Sequence, residues 1–253
     1  MISCLNRSLE KISIAPPLSI LAKKYCFEEW LDNVMQLSYP NFNVVLFDNT
    51  NDGGKFTEYM NEYHKNNYNS EKFYAVNSLK INNFFSSSII EKMCLSHNDC
   101  RKYMLHNNYD YLLHLETDVF PEKDVIEKLM FHKKKVVGAI YYRDEGLYRK
   151  PMIQKFIEPL PNHIKSINLE PNEDTCFIDG TLKKVSHVGL GCVLIENKVL
   201  KKIPFRFEKN IEMHPDTFFA EDCLRNAIPI YADTSLICRH ENEDWGIYGI
   251  NFK

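Results

Sequence analysis

The chain has 253 residues, 44% of them apolar and 26% charged, the make-up of a soluble globular protein with one sizeable core. A net charge of −3 and a pI near 6.3 leave no overall basic footprint, which argues against a dedicated nucleic-acid binder. No apolar run is long enough to cross a membrane and the N-terminus lacks a signal-peptide core, so the sequence predicts a soluble, cytoplasmic protein. The eight cysteines (Cys4, Cys26, Cys94, Cys100, Cys176, Cys192, Cys223 and Cys238) form no C-x-x-C pair. Most sit inside apolar runs and read as reduced core thiols of an intracellular protein. Lys133-Lys134-Lys135 and Lys201-Lys202 read as a solvated face or a small basic patch.

In chain order, Lys11 to Ala15 is a short alternating strand closed by Pro16-Pro17. A helix is expected over about 24–37, with Phe27, Trp30, Leu31, Val34 and Leu37 on one face. Asn43 to Phe47 is a near-continuous apolar strand ending in Asp48-Asn49 and the turn Asn51-Asp52-Gly53-Gly54. A helix over 55–64 and a strand over 73–76 follow, then a helix over 88–105 striped by Ile89, Ile90, Met93, Cys94, Cys100, Met104 and Leu105. After the strand Tyr111 to Leu115 come a helix over 122–131 and a strand over 136–142. This alternation predicts an α/β fold with a mostly parallel central sheet and right-handed crossovers.

Beyond Arg143 the pattern changes. Residues 143–183 carry Pro151, Pro159, Pro161 and Pro171 with no convincing periodicity, and are expected to form an irregular excursion over the sheet edge. Order resumes at 184–196, where Gly189 and Gly191 permit close backbone approach or positive φ before the strand Val193-Leu194-Ile195. A short helix over 198–202 leads to His214-Pro215-Asp216-Thr217, where Asp216 or Thr217 is placed to cap a helix running through Leu224 to Ala227. A last strand over 229–232 precedes Ile237-Cys238-Arg239-His240, and the aromatic residues of 243–253 show little pattern.

Glu116-Thr117-Asp118 carries the chemistry. It follows the buried strand directly, and Pro121 closes the extension. Two carboxylates at i and i+2 on the C-terminal edge of a strand face the crevice where open α/β sheets bind ligands. Paired oxygens there suit Mg²⁺ or Mn²⁺ holding a diphosphate, although a short E-x-D is also a common acidic turn.

The ordered set resembles the GT-A glycosyltransferases, and more narrowly the compact family-2-like enzymes of prokaryotes and viruses. It comprises a strand ending in Asp48, Glu116-x-Asp118, Val136-Val137-Gly138-Ala139, a glycine-rich stretch at 189–191, Glu221-Asp222 on a helix, and His240 after a strand. The likeness covers about residues 10–240. It implies a single Rossmann-like domain with a nucleotide-sugar-binding half over about 10–142 and an acceptor-side half over about 143–253. It also implies transfer of a sugar from a nucleotide sugar, with UDP the preferred nucleotide and GDP open, to a hydroxyl of a glycan or glycoconjugate.

Residue by residue, the likeness implies that Asp48 accepts a hydrogen bond from the nucleotide base and that Asp118 ligates the cation. Glu116 reaches the ribose, the metal or a metal-bound water, and His240 supplies a further ligand through a neutral ring nitrogen. Asp222, with Glu221 beside it, is the implied general base of an inverting displacement. Each has a plainer reading: Asp48 as a turn cap, His240 as a structural histidine, and the acid pair as a complement to the helix dipole. The chain departs from the family twice. Glu116 replaces the usual first aspartate, and His97-Asn98 stands where the family has Arg-Asn. Asn98 is then left on the donor side, with Arg101 one turn along as a substitute phosphate ligand or a packing residue. Alternatives are a viral-type transferase acting on a modified DNA base and a non-catalytic GT-A module that binds nucleotide sugars. A nucleotidyltransferase is disfavoured, because Ile14-Ala15-Pro16-Pro17 is no glycine-rich triphosphate loop.

Overall fold

A computed structural model describes residues 9–18, 24–68, 70–78, 88–145, 148–156, 166–168, 176–209, 211 and 213–241. Its elements in order are β1 (Ile12–Ile14), β2 (Pro17–Leu18), α1 (Phe27–Met35), β3 (Phe42–Asp48), α2 (Lys55–Asn67) and β4 (Phe73–Asn77). Next come α3 (Ile89–His106), β5 (Tyr111–Leu115), β6 (Val119–Phe120), α4 (Val125–Phe131), β7 (Val136–Ile140), β8 (Tyr142–Glu145), β9 (Tyr148–Pro151), β10 (Ile153–Phe156) and β11 (Ser166–Asn168). The chain closes with β12 (Leu182–Val185), β13 (His187–Val188), β14 (Cys192–Glu196), α5 (Asn197–Lys202), α6 (Pro215–Arg225), β15 (Ile230–Ile237) and β16 (Arg239–His240). Cys4 and the 243–253 stretch lie outside the described residues.

Nine strands form the central sheet, in the order β12-β15-β7-β14-β5-β1-β3-β2, with β4 also paired to β3. The register shows that β1 and β2 are one interrupted strand. Ile12 faces Phe42 and Pro17 faces Phe47, a constant offset, so Pro16 breaks the ladder without turning the chain. β1, β3, β4 and β5 are parallel, as the alternation predicts. β14 departs from that expectation by lying antiparallel between β5 and β7. Periodicity reports which residues are buried, not strand direction, so nothing local in the sequence marks the reversal. Because β14 and β15 flank β7, residues on both sides of Arg143 share one sheet.

Helices cover both faces, and the strands read as apolar on alternate sides. Ile12, Ile14, Val44, Leu46, Leu113, Leu115, Val137 and Leu194 pack with Phe27, Trp30 and Leu31 of α1, Met60 of α2 and Leu129 of α4. Val45, Phe47, Leu112, Val136, Ile140, Val193 and Ile195 pack on the opposite face with Met104 of α3, Leu200 of α5 and Phe219 of α6. Cys26, Cys94, Cys100, Cys192, Cys223 and Cys238 are buried outside any disulfide, while Cys176 is exposed.

The stretch after Arg143 is more ordered than the sequence suggests. Of the expected excursion, β8 and β9 form a hairpin and β10 pairs with both β11 and β13; residues 146–147, 157–165 and 169–175 lie outside the described set. Short strands of mixed polarity such as Ile153–Phe156 give too weak an alternation to be read alone. β1 is flanked by β3 on one side and β5 on the other, so the strand order reverses there. This is the switch point at which open α/β sheets leave a crevice beyond their carboxyl ends.

Candidate active site

Asp118 leaves the end of β5 fully buried, in the turn between β5 and β6. β6 pairs antiparallel with β16, setting His240 opposite Val119, and the Glu241 N–H donates to the Asp118 carbonyl at 2.9 Å. This ladder carries His240 to the acid: its Nε2 lies 3.4 Å from Asp118 Oδ2. That is a charge contact rather than a formed hydrogen bond, and among the described residues the buried Nε2 has no hydrogen-bond partner. The other ring nitrogen, Nδ1, lies 2.8 Å from the Tyr142 carbonyl, to which it can only donate. That bond fixes the ring orientation and turns Nε2 toward Asp118, the second-sphere arrangement of a metal-ligating histidine. Burial opposes charge on this ring, but the Asp118 carboxylate, the Tyr142 carbonyl and Glu116 outweigh it and hold the His240 pKa above its usual value.

Tyr141, buried at the end of β7, forms the floor of the site. Its ring meets His240 edge-on at 5.0 Å. A Cβ on Gly189 would fall 2.4 Å from the Tyr141 oxygen, and one on Gly191 would fall 2.4 Å from Cε1. Neither glycine has a positive φ, so close approach is the reason for both. The Gly191 N–H donates to the phenol oxygen at 3.2 Å, and the Gly191 carbonyl accepts the Glu116 N–H at 2.9 Å. Burial raises the Tyr141 pKa well above the usual phenol value, and the charges of Glu116, Asp216 and Asp118 add to it. Tyr141 therefore feels the charges of the two strand-edge acids and of one acid on α6.

That acid, Asp216, reads in the sequence only as a candidate cap. His214 is the N-cap residue without a side-chain bond, Pro215 opens the helix, and Asp216 sits in its first turn. Its Oδ1 accepts the Thr217 N–H at 2.7 Å, and its Oδ2 lies 3.4 Å from the buried Nε2 of His187 on β13. Burial alone would raise the Asp216 pKa. The His187 ring, His214 and the Thr217 N–H more than reverse this and hold the carboxyl below the usual carboxylate range. It is thus ionised at neutral pH. The sequence signal that points here is the pairing of Asp216 with Pro215 at a helix start, which also fits a plain cap.

Among the described residues, no three His, Cys, Asp or Glu side chains are grouped to hold a metal ion. Asp118 and His240 therefore stand as a pair, and Glu116 does not join them as the expected third ligand. Two protein ligands, one an unpartnered buried nitrogen, fit a hard divalent cation that takes its remaining ligands from phosphate and water.

No protein-family model matches the chain, and no curated protein matches it. Solved structures do. GalNAc-T7, solved with UDP, GalNAc and Mn²⁺, is 12% identical and superposes on 95% of this chain and 46% of its own, with a TM-score of 0.61. The mannosyltransferase PcManGT from Pyrobaculum calidifontis, solved with GDP-Man and Mn²⁺, is 12% identical over 91% of this chain and 56% of its own, at 0.58. A197 from STIV is 15% identical over 91% of this chain and 85% of its own, at 0.51. The chain has a GT-A fold. It spans about half the length of the first two structures.

Within this GT-A fold, the other residues singled out in the sequence have other partners. Asp48 is fully buried at the end of β3. Its Oδ1 accepts the Thr50 N–H at 2.9 Å and its Oδ2 the Thr57 hydroxyl at 2.6 Å, so it ties the following turn to α2. Burial nevertheless dominates and raises its pKa. Asn98 clasps the backbone of Phe205, donating to the carbonyl at 2.7 Å and accepting the N–H at 3.2 Å. Arg101 donates to the Leu200 carbonyl at 2.6 Å. Both α3 residues thus hold the 200–205 segment in place. Asp222 accepts Arg206 Nε at 2.7 Å and Nη2 at 3.2 Å, and Glu221 pairs with Arg225 at 3.3 Å. Asp216 and Asp222 are six residues apart, about 120° around a helix, so they serve different faces of α6. No helix among the described residues is long and apolar enough to cross a membrane.

Proposed function

We infer that this protein is a divalent-metal-dependent glycosyltransferase that moves a sugar from a nucleotide sugar to an acceptor hydroxyl. The observation that carries the reading is the buried Asp118–His240 pair, with its unpartnered Nε2, at the switch point of a GT-A fold. Two structures of that fold, GalNAc-T7 and the Pyrobaculum mannosyltransferase, hold Mn²⁺ with a nucleotide or nucleotide sugar. Asp118 and His240 would hold the cation, which when bound offsets the charge that develops on the leaving diphosphate. Glu116, beside them, would face the ribose or a metal-bound water.

Asp216 is the better-supported general base. It is ionised, its charge reaches the Tyr141 phenol together with those of Asp118 and Glu116, and it lies on a separate helix. Asp222 is tied to Arg206. The reaction we propose is a single displacement with inversion. The acceptor oxygen attacks the anomeric carbon, its proton passes to Asp216, and the sugar–phosphate bond breaks toward the metal side. The two metal-bound neighbours carry different nucleotides, so UDP and GDP donors are both to be tried.

A thermal-shift screen of UDP, GDP and CMP sugars with Mn²⁺ tests the reading. One nucleotide family raising the melting temperature only in the presence of the metal supports it. No shift with any nucleotide would remove it.

A further inference from the structure

Two buried histidines have no part in the reaction just described. His114 lies mid-strand in β5, fully buried, and His97 faces it from α3 at 3% exposure. His114 Nδ1 lies 2.5 Å from the Leu190 carbonyl, so Nδ1 must donate, and in the neutral ring His114 Nε2 is then an acceptor. His97 Nδ1 lies 2.8 Å from that Nε2 and is therefore the donor of the next bond. The bonds form a directed relay, His97 to His114 to Leu190.

Each end of the relay reaches the half of the site that handles the acceptor proton. At one end, Leu190 lies between Gly189 and Gly191, which press against Tyr141, and this turn follows His187, the neighbour of Asp216. At the other end, the His97 ring packs on Phe205 at 5.1 Å, and Phe205 stacks on Phe219 at 5.1 Å. Phe219 lies on α6, three residues beyond Asp216, and Asn98 fixes the Phe205 backbone from the same helix as His97. The histidine pair thus braces the His187 segment through Leu190 and the Asp216 helix through two aromatic rings. Asp118 and His240 are joined to each other by the β6–β16 ladder, which contains none of these residues.

The geometry points to His97 and His114 as positioning residues that set Asp216 and His187 against the donor site without contacting substrate. The inference rests on the glycosyl-transfer reading and deepens it: turnover depends on the relay, and nucleotide binding does not. Displacing a proton acceptor by even an ångström costs up to about a hundredfold in rate, whereas a diphosphate held at the metal site is insensitive to it.

The test compares wild type with His97→Leu, which removes the donor, and His97→Asn, whose amide restores a donor at the Nδ1 position. Measured quantities are the Kd of UDP and of GDP with Mn²⁺ by calorimetry, the rate of nucleotide release from UDP- and GDP-hexoses, and amide exchange over residues 187–192. In His97→Leu, nucleotide release is expected to fall at least about tenfold with Kd within twofold, exchange over 187–192 is faster, and His97→Asn recovers most of the rate. If His97→Leu does not fold, His114→Asn replaces it, keeping the donor to Leu190 and deleting the acceptor for His97. Unchanged release with unchanged exchange overturns the inference, as does a parallel loss of rate and affinity. If wild type binds no nucleotide, the glycosyltransferase reading fails on its own account. Exchange over 187–192 then still decides the brace: acceleration in the variant supports it, and wild-type exchange overturns it.

Discussion

Replacing Asp216 by asparagine separates the proposed base from the acid pair that the sequence favours. The amide oxygen introduced by Asp216→Asn can still accept the Thr217 N–H now held at 2.7 Å, and the isosteric side chain keeps its place beside His187. Shape and local bonds survive, but the side chain no longer takes a proton. Loss of a general base lowers rate by about 10² to 10⁴, equivalent to roughly 3–5 kcal/mol of barrier. Asp222→Asn has the opposite profile. It weakens a two-point contact with Arg206, at 2.7 and 3.2 Å, between partly exposed groups, for about 1 kcal/mol of stability, with kcat within a few-fold. The assay is UDP or GDP release under saturating donor and Mn²⁺, with the donor Kd measured in parallel and a thermal melt for each variant. Asp216→Asn should be slow, well folded and normal in donor affinity. Should Asp222→Asn be the slow variant and Asp216→Asn remain active, the assignment made from Tyr141, His187 and the orientation of α6 is refuted.

Gly191→Ala places a Cβ 2.4–2.9 Å from three Tyr141 ring carbons, so overpacking should cost about 1–3 kcal/mol, read as a lower melting temperature; a wild-type melt would show that the turn yields easily. Asp233 accepts His132 at 2.6 Å, together with the Ser235 N–H and hydroxyl. Burial works to raise its pKa, but these partners prevail and lower it. A folded pKa below the unfolded value near 3.9 gives stability that is fully present above that pH and lost as pH falls through the folded pKa. Asp233→Asn should therefore destabilise by about 1–3 kcal/mol at neutral pH, and the difference from wild type should shrink in denaturant melts below about pH 4. A difference that stays constant into acid would assign the loss to packing.

Much of this molecule is written locally. The β5 strand and its acidic exit, the α3 helix and its buried Cys94, Cys100 and Met104, and the close approach at Gly189 and Gly191 all follow from residue type and period, although α3 also buries the polar Ser96, His97 and Asp99. What could not be read depends on contacts between distant segments. The reversal of β14 is set by its partners β5 and β7, and the short strands after Arg143 acquire order only by pairing with each other and with β13. The site shows the same division. Asp118 and His240 are recognisable because each ends a strand, although the ladder that joins them spans more than a hundred residues of chain. Asp216 and Asp222 sit on one helix, and only Arg206, Tyr141 and His187, all brought from elsewhere, distinguish them. The same holds for Asn98 and Arg101, whose side chains answer to backbone groups about a hundred residues away.

The central claim is that Asp118 and His240 hold a divalent cation that in turn holds a nucleotide diphosphate. Calorimetric titration of UDP and GDP into wild type, Asp118→Asn and His240→Ala, each with Mn²⁺ and with excess EDTA, tests it most directly. The account predicts metal-dependent binding of one nucleotide by wild type, its loss in Asp118→Asn, and a raised metal requirement in a folded His240→Ala. Nucleotide binding that persists in EDTA, or that is unchanged in Asp118→Asn, would contradict it.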